Sequence, residues 1–180
     1  MADRPTILIV EDEQSLAGLF EAWLTSTYDC ELAFDGMSAL EAINADIEAI
    51  LLDRRMPGMA GDEVLEKLRE RGVSAPTGMI TAVDPDFDII GLPFECYLTK
   101  PIDRSEIQET VAQLLEIGEL TDRERELCRA RITKAALERS KTPLTLEEHE
   151  DYQGLCDRIE TLEASLSEPP VIGNLEAIIA

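Results

Sequence analysis

The sequence predicts a doubly wound α/β domain on a five-stranded parallel sheet, followed by a helical hairpin. Three observations predict it. Up to about residue 117, short aliphatic runs alternate with amphipathic segments. The runs are apolar almost without interruption, as strands covered on both faces must be. Past Thr121 the strand signals stop.

The elements follow in order. Ile7 to Val10 is the first strand, and residues 14–26 set Leu16, Leu19, Phe20, Trp23 and Leu24 at helical spacing. Cys30 to Phe34 is the second strand, and Ser38 to Ala45 is a short helix with Ala39, Leu40 and Ile43 inward. Ala49 to Leu52 is a third strand that closes on Asp53. Residues 61–71 form an amphipathic helix on Val64, Leu65 and Leu68, stopped by Gly72. Gly78 to Thr81 and Glu95 to Thr99 are the fourth and fifth strands, and residues 103–117 are a helix with Ile107, Val111, Leu114 and Leu115 on one face. Between strands 4 and 5, residues 83–94 carry Pro85 and Pro93 and show no regular amphipathic helix. Right-handed crossovers put every strand's C-terminal end on one edge. In the order 2-1-3-4-5, ligands bind at the switch point between strands 1 and 3.

Acidic residues number 38 against 16 basic, a net charge of -22. Such a surface repels nucleic acid and anionic lipid. Lysines are few (Lys67, Lys100, Lys134 and Lys141), and the acidic excess runs along the whole chain, a composition suited to concentrated salt. The N-terminal Met-Ala-Asp-Arg-Pro lacks a signal-peptide layout, and no apolar run reaches the roughly 18–20 residues of a membrane span, so the expectation is a soluble cytoplasmic protein. Cys30, Cys96, Cys128 and Cys156 form no CxxC pair, which argues against zinc. Cys30 and Cys96 read as small buried hydrophobes.

Chemistry gathers at the strand ends. Strand 1 delivers Glu11 and Asp12, strand 3 Asp53, strand 4 Thr81, and strand 5 leads to Lys100. Carboxylates crowded in one pocket repel unless a cation neutralises them, and hard oxygen ligands suit Mg²⁺. An ammonium and a hydroxyl beside them suit an incoming phosphoryl group. Taken singly, each acid reads as a solvated turn or a helix cap. Together they require accidents at three strand ends.

Four motifs in order, Glu11-Asp12, Asp53 to Pro57, Gly78 to Ala82 and Tyr97 to Pro101, resemble the receiver domain of two-component response regulators over about residues 5–118. The resemblance implies a flavodoxin-like fold and a receiver domain over 1–119. It implies Asp53 as phosphoacceptor, Asp12 as a direct Mg²⁺ ligand, Glu11 acting mostly through bound water, and Arg55 lending only its backbone carbonyl to the metal. Lys100 and Thr81 would contact phosphoryl oxygens. Tyr97 would be the aromatic switch that turns inward with Thr81, and Pro101 would follow a cis peptide bond. The partner implied is a sensor histidine kinase. The protein would not be a turnover enzyme, since transfer and dephosphorylation are self-catalysed. The missing regularity in 83–94 is a departure from the family pattern beside strand 5.

Residues 120–168 form the second module, and 169–180 a loosely held tail. A helix over 121–140, a break at 141–145, and a helix over 146–166 with Tyr152, Leu155, Ile159, Leu162 and Leu166 three and four apart predict an antiparallel hairpin. It would set Cys128 and Cys156 at similar heights, as thiols rather than a disulfide. The first helix carries a basic excess and the second an acidic one, so the two attract. The first helix, the 141–145 break and Glu147 to Tyr152 resemble the HalX domain of haloarchaeal regulators, which implies no chemistry. His149 reads as a surface residue, since no phosphotransfer pattern surrounds it. The apolar seam offers self-pairing, as a homodimer through the receiver or the helices, or a partner. DNA contact through the first helix is the weaker expectation, because no recognition-helix pair accompanies it. A phosphate-independent interaction module is the other alternative.

Overall fold

A computed structural model describes residues 4–171 of the chain. The strands are β1 Thr6–Val10, β2 Asp29–Ala33, β3 Ile47–Asp53, β4 Thr77–Thr81 and β5 Cys96–Thr99. They form one parallel sheet in the order β2-β1-β3-β4-β5 with helices on both faces, as the sequence predicts. β1 lies inside the sheet, between β2 and β3, and is buried from Ile7 to Val10, which accounts for its unbroken aliphatic run.

The helices are α1 Gln14–Leu24, α2 Gly36–Ala42, α3 Gly61–Glu70 and α4 Arg104–Gly118 in the sheet domain, then α5 Asp122–Ser140, α6 Pro143–Glu147 and α7 Glu150–Ser165. α2 starts earlier than its apolar spacing suggests, because Asp35 and Ser38 form a reciprocal capping box. Between β4 and β5 only a 3₁₀ turn forms, Phe87–Ile89, in line with the two prolines that flank it.

The hairpin is present with one revision. The stretch 141–145 is not simply a break: Thr142 caps a short helix with Pro143 in its first turn, where a missing N–H costs nothing. The helix does break at Lys141 and Thr142, and a second interruption falls at Glu148 and His149, before α7. The seam residues Tyr152, Leu155, Ile159 and Leu162 are buried, and α7 packs on α5. The apolar face of the seam is filled from within the chain, by α5. The charge complementarity materialises as Arg131–Glu163 at 2.6 Å, and one pair of the opposite polarity, Arg158 of α7 on Glu126 of α5, joins the helices as well.

α5 has a second buried side. It lies against β5, and its residues join the same hydrophobic core as the sheet domain. Glu95, at the foot of β5, has no solvent-accessible surface and is the centre of the junction. Its Oε1 accepts from Arg125 Nη2 at 2.8 Å and Arg129 Nη2 at 2.6 Å, and its Oε2 from Arg69 Nη2 at 3.2 Å and the Thr77 N–H at 2.7 Å. One carboxylate thus holds three guanidiniums from two helices. Farther along, Ser140 donates to the Pro85 carbonyl at 2.8 Å. The lone histidine, His149, is also at this junction. Its ring stacks on Phe87 with centroids 3.5 Å apart, so it is half-covered and not a plain surface residue.

All four cysteines are free thiols. Cys96 and Cys128 are buried, and Cys30 is half-buried. Cys128 and Cys156 are thiols rather than a disulfide, as expected, and Cys128 also lies near Cys96 of the sheet. No helix among the described residues is long and apolar enough to cross a membrane. Of the expected tail, residues 172–180 lie outside the described residues; before them, the Pro170 carbonyl accepts from Arg131.

Candidate functional site

The sheet order brings the C-terminal ends of β1 and β3 side by side, with Val10 opposite Leu52. The next residues, Glu11 and Asp12 on one strand and Asp53 on the other, meet in one pocket. Their carboxylate oxygens lie within 4.8 Å of one another; Glu11 and Asp53 are buried and Asp12 is exposed. Lys100 reaches in from the end of β5. Its Nζ donates to Glu11 Oε2 at 2.7 Å and to Asp53 Oδ2 at 3.1 Å. The other oxygen of Asp53, Oδ1, accepts the Arg55 N–H at 3.0 Å, and Glu11 Oε1 accepts the Glu13 N–H at 3.3 Å. The Lys100–Pro101 peptide is cis.

The electrostatics follow. Burial raises the Glu11 carboxyl pKa, the Lys100 hydrogen bond opposes this, and the charge of Asp53 adds to the rise. For Lys100, burial pulls the ammonium down, but the bonds to Glu11 and Asp53 outweigh it and the net direction is up. Three carboxylates share a single ammonium, so the pocket has room in its charge balance for a hard cation. Asp12, exposed at its mouth, gives that cation a way in.

Gly61 holds Asp53 in place by having no side chain. A Cβ there would meet the Asp53 carbonyl oxygen at 2.3 Å, and the Gly61 N–H donates to the Arg54 carbonyl at 2.9 Å. The start of α3 thus packs directly on the loop that carries the pocket.

Thr81 is fully buried, and its Oγ1 accepts the Val83 N–H at 3.1 Å. Tyr97 is 2% exposed and turned inward, and its hydroxyl donates to the Val83 carbonyl at 3.2 Å. Arg54 had no role in the sequence reading. Its guanidinium donates to the Tyr97 hydroxyl at 3.3 Å, to both oxygens of Asp62 at 3.0 Å, and to Asp88 at 2.5 Å. Burial works against the charge on Arg54, but the bonds to Asp62, Asp88 and Tyr97 more than offset it and hold its pKa above the ordinary value. An arginine in a loop rich in charge carries no local signal that separates a buried side chain from a solvated one.

Residues 7–112 match the response regulator receiver domain family, and residues 116–169 match the HalX domain. The chain belongs to the response-regulator receiver family. Behind the receiver it carries a HalX domain. A putative transcriptional regulator of Haloferax volcanii is 39% identical over 164 residues, covering 91% of this chain and 28% of that protein. The sensory transduction protein RegX3 of Mycobacterium tuberculosis is 36% identical over 118 residues, covering 63% of this chain and 52% of that protein. The chain therefore spans from about a quarter to about half of these relatives' length. Among solved structures, the receiver domain of the sensor histidine kinase PA1611 from Pseudomonas aeruginosa, which has a magnesium ion coordinated in its active site cleft, is 29% identical with a TM-score of 0.57. That match covers 63% of this chain and 98% of the other.

Proposed function

We propose that this protein is a phosphorylation-controlled switch of a two-component system, in which Asp53 accepts a phosphoryl group from a histidine kinase. The observation that carries the reading is the convergence of Glu11, Asp12, Asp53 and Lys100 on one pocket from three separate strands. A carboxylate oxygen of Asp53 forms the bond to phosphorus while the bond from phosphorus to the donor's imidazole nitrogen breaks, and the freed imidazole takes a proton from solvent. Lys100, already within hydrogen-bond distance of Asp53, pairs with a phosphoryl oxygen. Thr81 gives its hydroxyl to another, exchanging its present bond with the Val83 N–H.

The donor set fits Mg²⁺: Glu11, Asp12 and Asp53 would hold it, with the Arg55 carbonyl as a further oxygen. When bound, the ion supplies charge neutralisation for the phosphoryl oxygens. The magnesium in the Pseudomonas receiver supports this assignment. The chain turns over no external product in this reading; it is both substrate and catalyst of its own modification. DNA contact through α5 is less favoured, because Arg125, Arg129 and Arg131 face carboxylates of this chain.

The test is labelling of the full chain by acetyl phosphate with Mg²⁺ in concentrated salt. Wild type is expected to take up label, and Asp53→Asn to take up none. Equal labelling of both would overturn the reading.

A further inference from the structure

A cavity of about 530 Å³ lies where the receiver meets the HalX domain. Residues 90–93, between the 3₁₀ turn and β5, form one wall, and α5 and α7 form the others. Its size falls within the roughly 300–1,000 Å³ of small-molecule sites, which occur preferentially at domain junctions. Ile90, Leu92, Pro93, Ala130 and Leu155 make the lining largely apolar. A glycine widens it. Gly154 lies on the wall in the interior of α7, where glycine is the least favourable residue after proline. No close approach demands it, since a Cβ there would meet nothing within 4 Å. The missing side chain leaves room in the cavity at the expense of the helix.

The charged groups of the lining are not equivalent. Glu126 and Arg158 pair with each other. Glu150 and Asp151, in the first turn of α7, are exposed and stand at the mouth. Arg129 differs from all of these. Its Nε and Nη2 both donate to Glu95 Oε1, at 2.9 and 2.6 Å, and among the described residues no acceptor meets its Nη1. Glu95 is itself divided among three guanidiniums, so Arg129 keeps an uncompensated share of positive charge. A guanidinium that is 28% exposed beside apolar walls suits a carboxylate carried on an aliphatic body. A phosphate or a dicarboxylate would set a second negative charge against Glu150 and Asp151.

We propose that this cavity binds a small aliphatic monocarboxylate, with the carboxylate on Arg129 and the chain against Ile90, Leu92 and Leu155. The occupant touches both domains, so it favours their docked arrangement. The protein thereby has a chemical input that does not pass through Asp53, and the site goes beyond the phosphoryl reading.

The experiment titrates 4-methylpentanoate into the full chain with labelled isoleucine and leucine methyls, followed by NMR in concentrated salt. No Mg²⁺ or phosphoryl donor is present, so the outcome is independent of phosphorylation at Asp53. Ile90→Val and Leu92→Met assign their signals. Wild type is expected to show saturable shifts at the methyls of the cavity wall. The matching amine, 4-methylpentylamine, is expected to give none. Arg129→Met leaves Glu95 with two arginines and is expected to weaken binding at least tenfold. Gly154→Leu fills the cavity from a position with open space and a better helix former, so it is expected to fold and to abolish binding. It also decides the matter if Arg129→Met does not fold. Leucine, the same skeleton with an added ammonium, separates two sources: tighter binding than 4-methylpentanoate assigns Glu150 and Asp151 to an amino acid's ammonium, and weaker binding assigns the site to a plain carboxylic acid. Both support a carboxylate-led site. No saturable shift in wild type, equal affinity for the amine, or unchanged affinity in folded Arg129→Met or in Gly154→Leu overturns it.

Discussion

Two charged clusters in this molecule are near mirror images. At the top of the sheet, Glu11 and Asp53 share the ammonium of Lys100, with the carboxylate of Asp12 beside them. At the bottom, Glu95 is shared by Arg69, Arg125 and Arg129. The first is short of positive charge and opens to solvent through Asp12. The second is fully enclosed around its carboxylate, and burial together with the neighbouring guanidiniums lowers the Arg69 pKa despite the pull of Glu95. The contrast separates two uses of an ion cluster. An unbalanced, partly open one can exchange a cation and accept a phosphoryl group; a saturated, dry one fixes two domains against each other. Different variants should break each.

The largest effect on stability is expected at Glu95. Glu95→Gln leaves three guanidiniums, the buried one of Arg125 among them, without their carboxylate, and removing one side of a buried pair costs about 3–5 kcal/mol. Chemical denaturation in concentrated salt should show this loss, while a single Arg129→Met should cost less, because Glu95 keeps two arginines. The opposite pattern is expected at Lys100. Lys100→Met removes one preorganised donor to the phosphoryl group, a change worth about 10²–10³ in rate in comparable sites. Labelling should fall on that scale, with a far smaller change in the unfolding midpoint.

A smaller effect is expected from Gly61→Ala. The added methyl collides with the Asp53 carbonyl, and overpacking of this kind costs about 1–3 kcal/mol. Because the collision is with the acceptor's own backbone, labelling should fall along with stability. The smallest is a pH effect at Glu11. Its folded pKa is raised, so its contribution to stability is fully present below its unfolded pKa and is lost as pH rises through the folded value. Glu11→Gln should therefore raise the unfolding midpoint at neutral pH in the presence of chelator. That gain should vanish as pH drops below the ordinary glutamate range. Added Mg²⁺ should stabilise wild type more than this variant.

The first cluster was legible in the sequence and the second was not, for a physical reason. Glu11, Asp12, Asp53 and Lys100 each sit at the end of an aliphatic run, so the strand pattern alone brings them to one edge. Glu95 read as the first residue of a strand, and Arg125 and Arg129 fell within the basic excess of the 121–140 helix. Nothing local distinguishes an arginine that points to water from one that crosses to another domain. The same holds for Arg54, and for His149 on Phe87. The hairpin was legible because its seam repeats along one helix, but its docking depends on pairs 30 or more residues apart. The absence of an α-helix between β4 and β5 was also legible, from Pro85 and Pro93. That α5 would pack against β5 beside that segment was not.

The central claim is that Asp53 is the acceptor. The most direct measurement is borohydride reduction of the chain after exposure to acetyl phosphate, which converts a phosphorylated aspartate to homoserine, followed by peptide mass spectrometry. The expected result is homoserine at position 53 alone, and only when Mg²⁺ was present. Homoserine at another aspartate, or at none while label is incorporated elsewhere, would contradict the account.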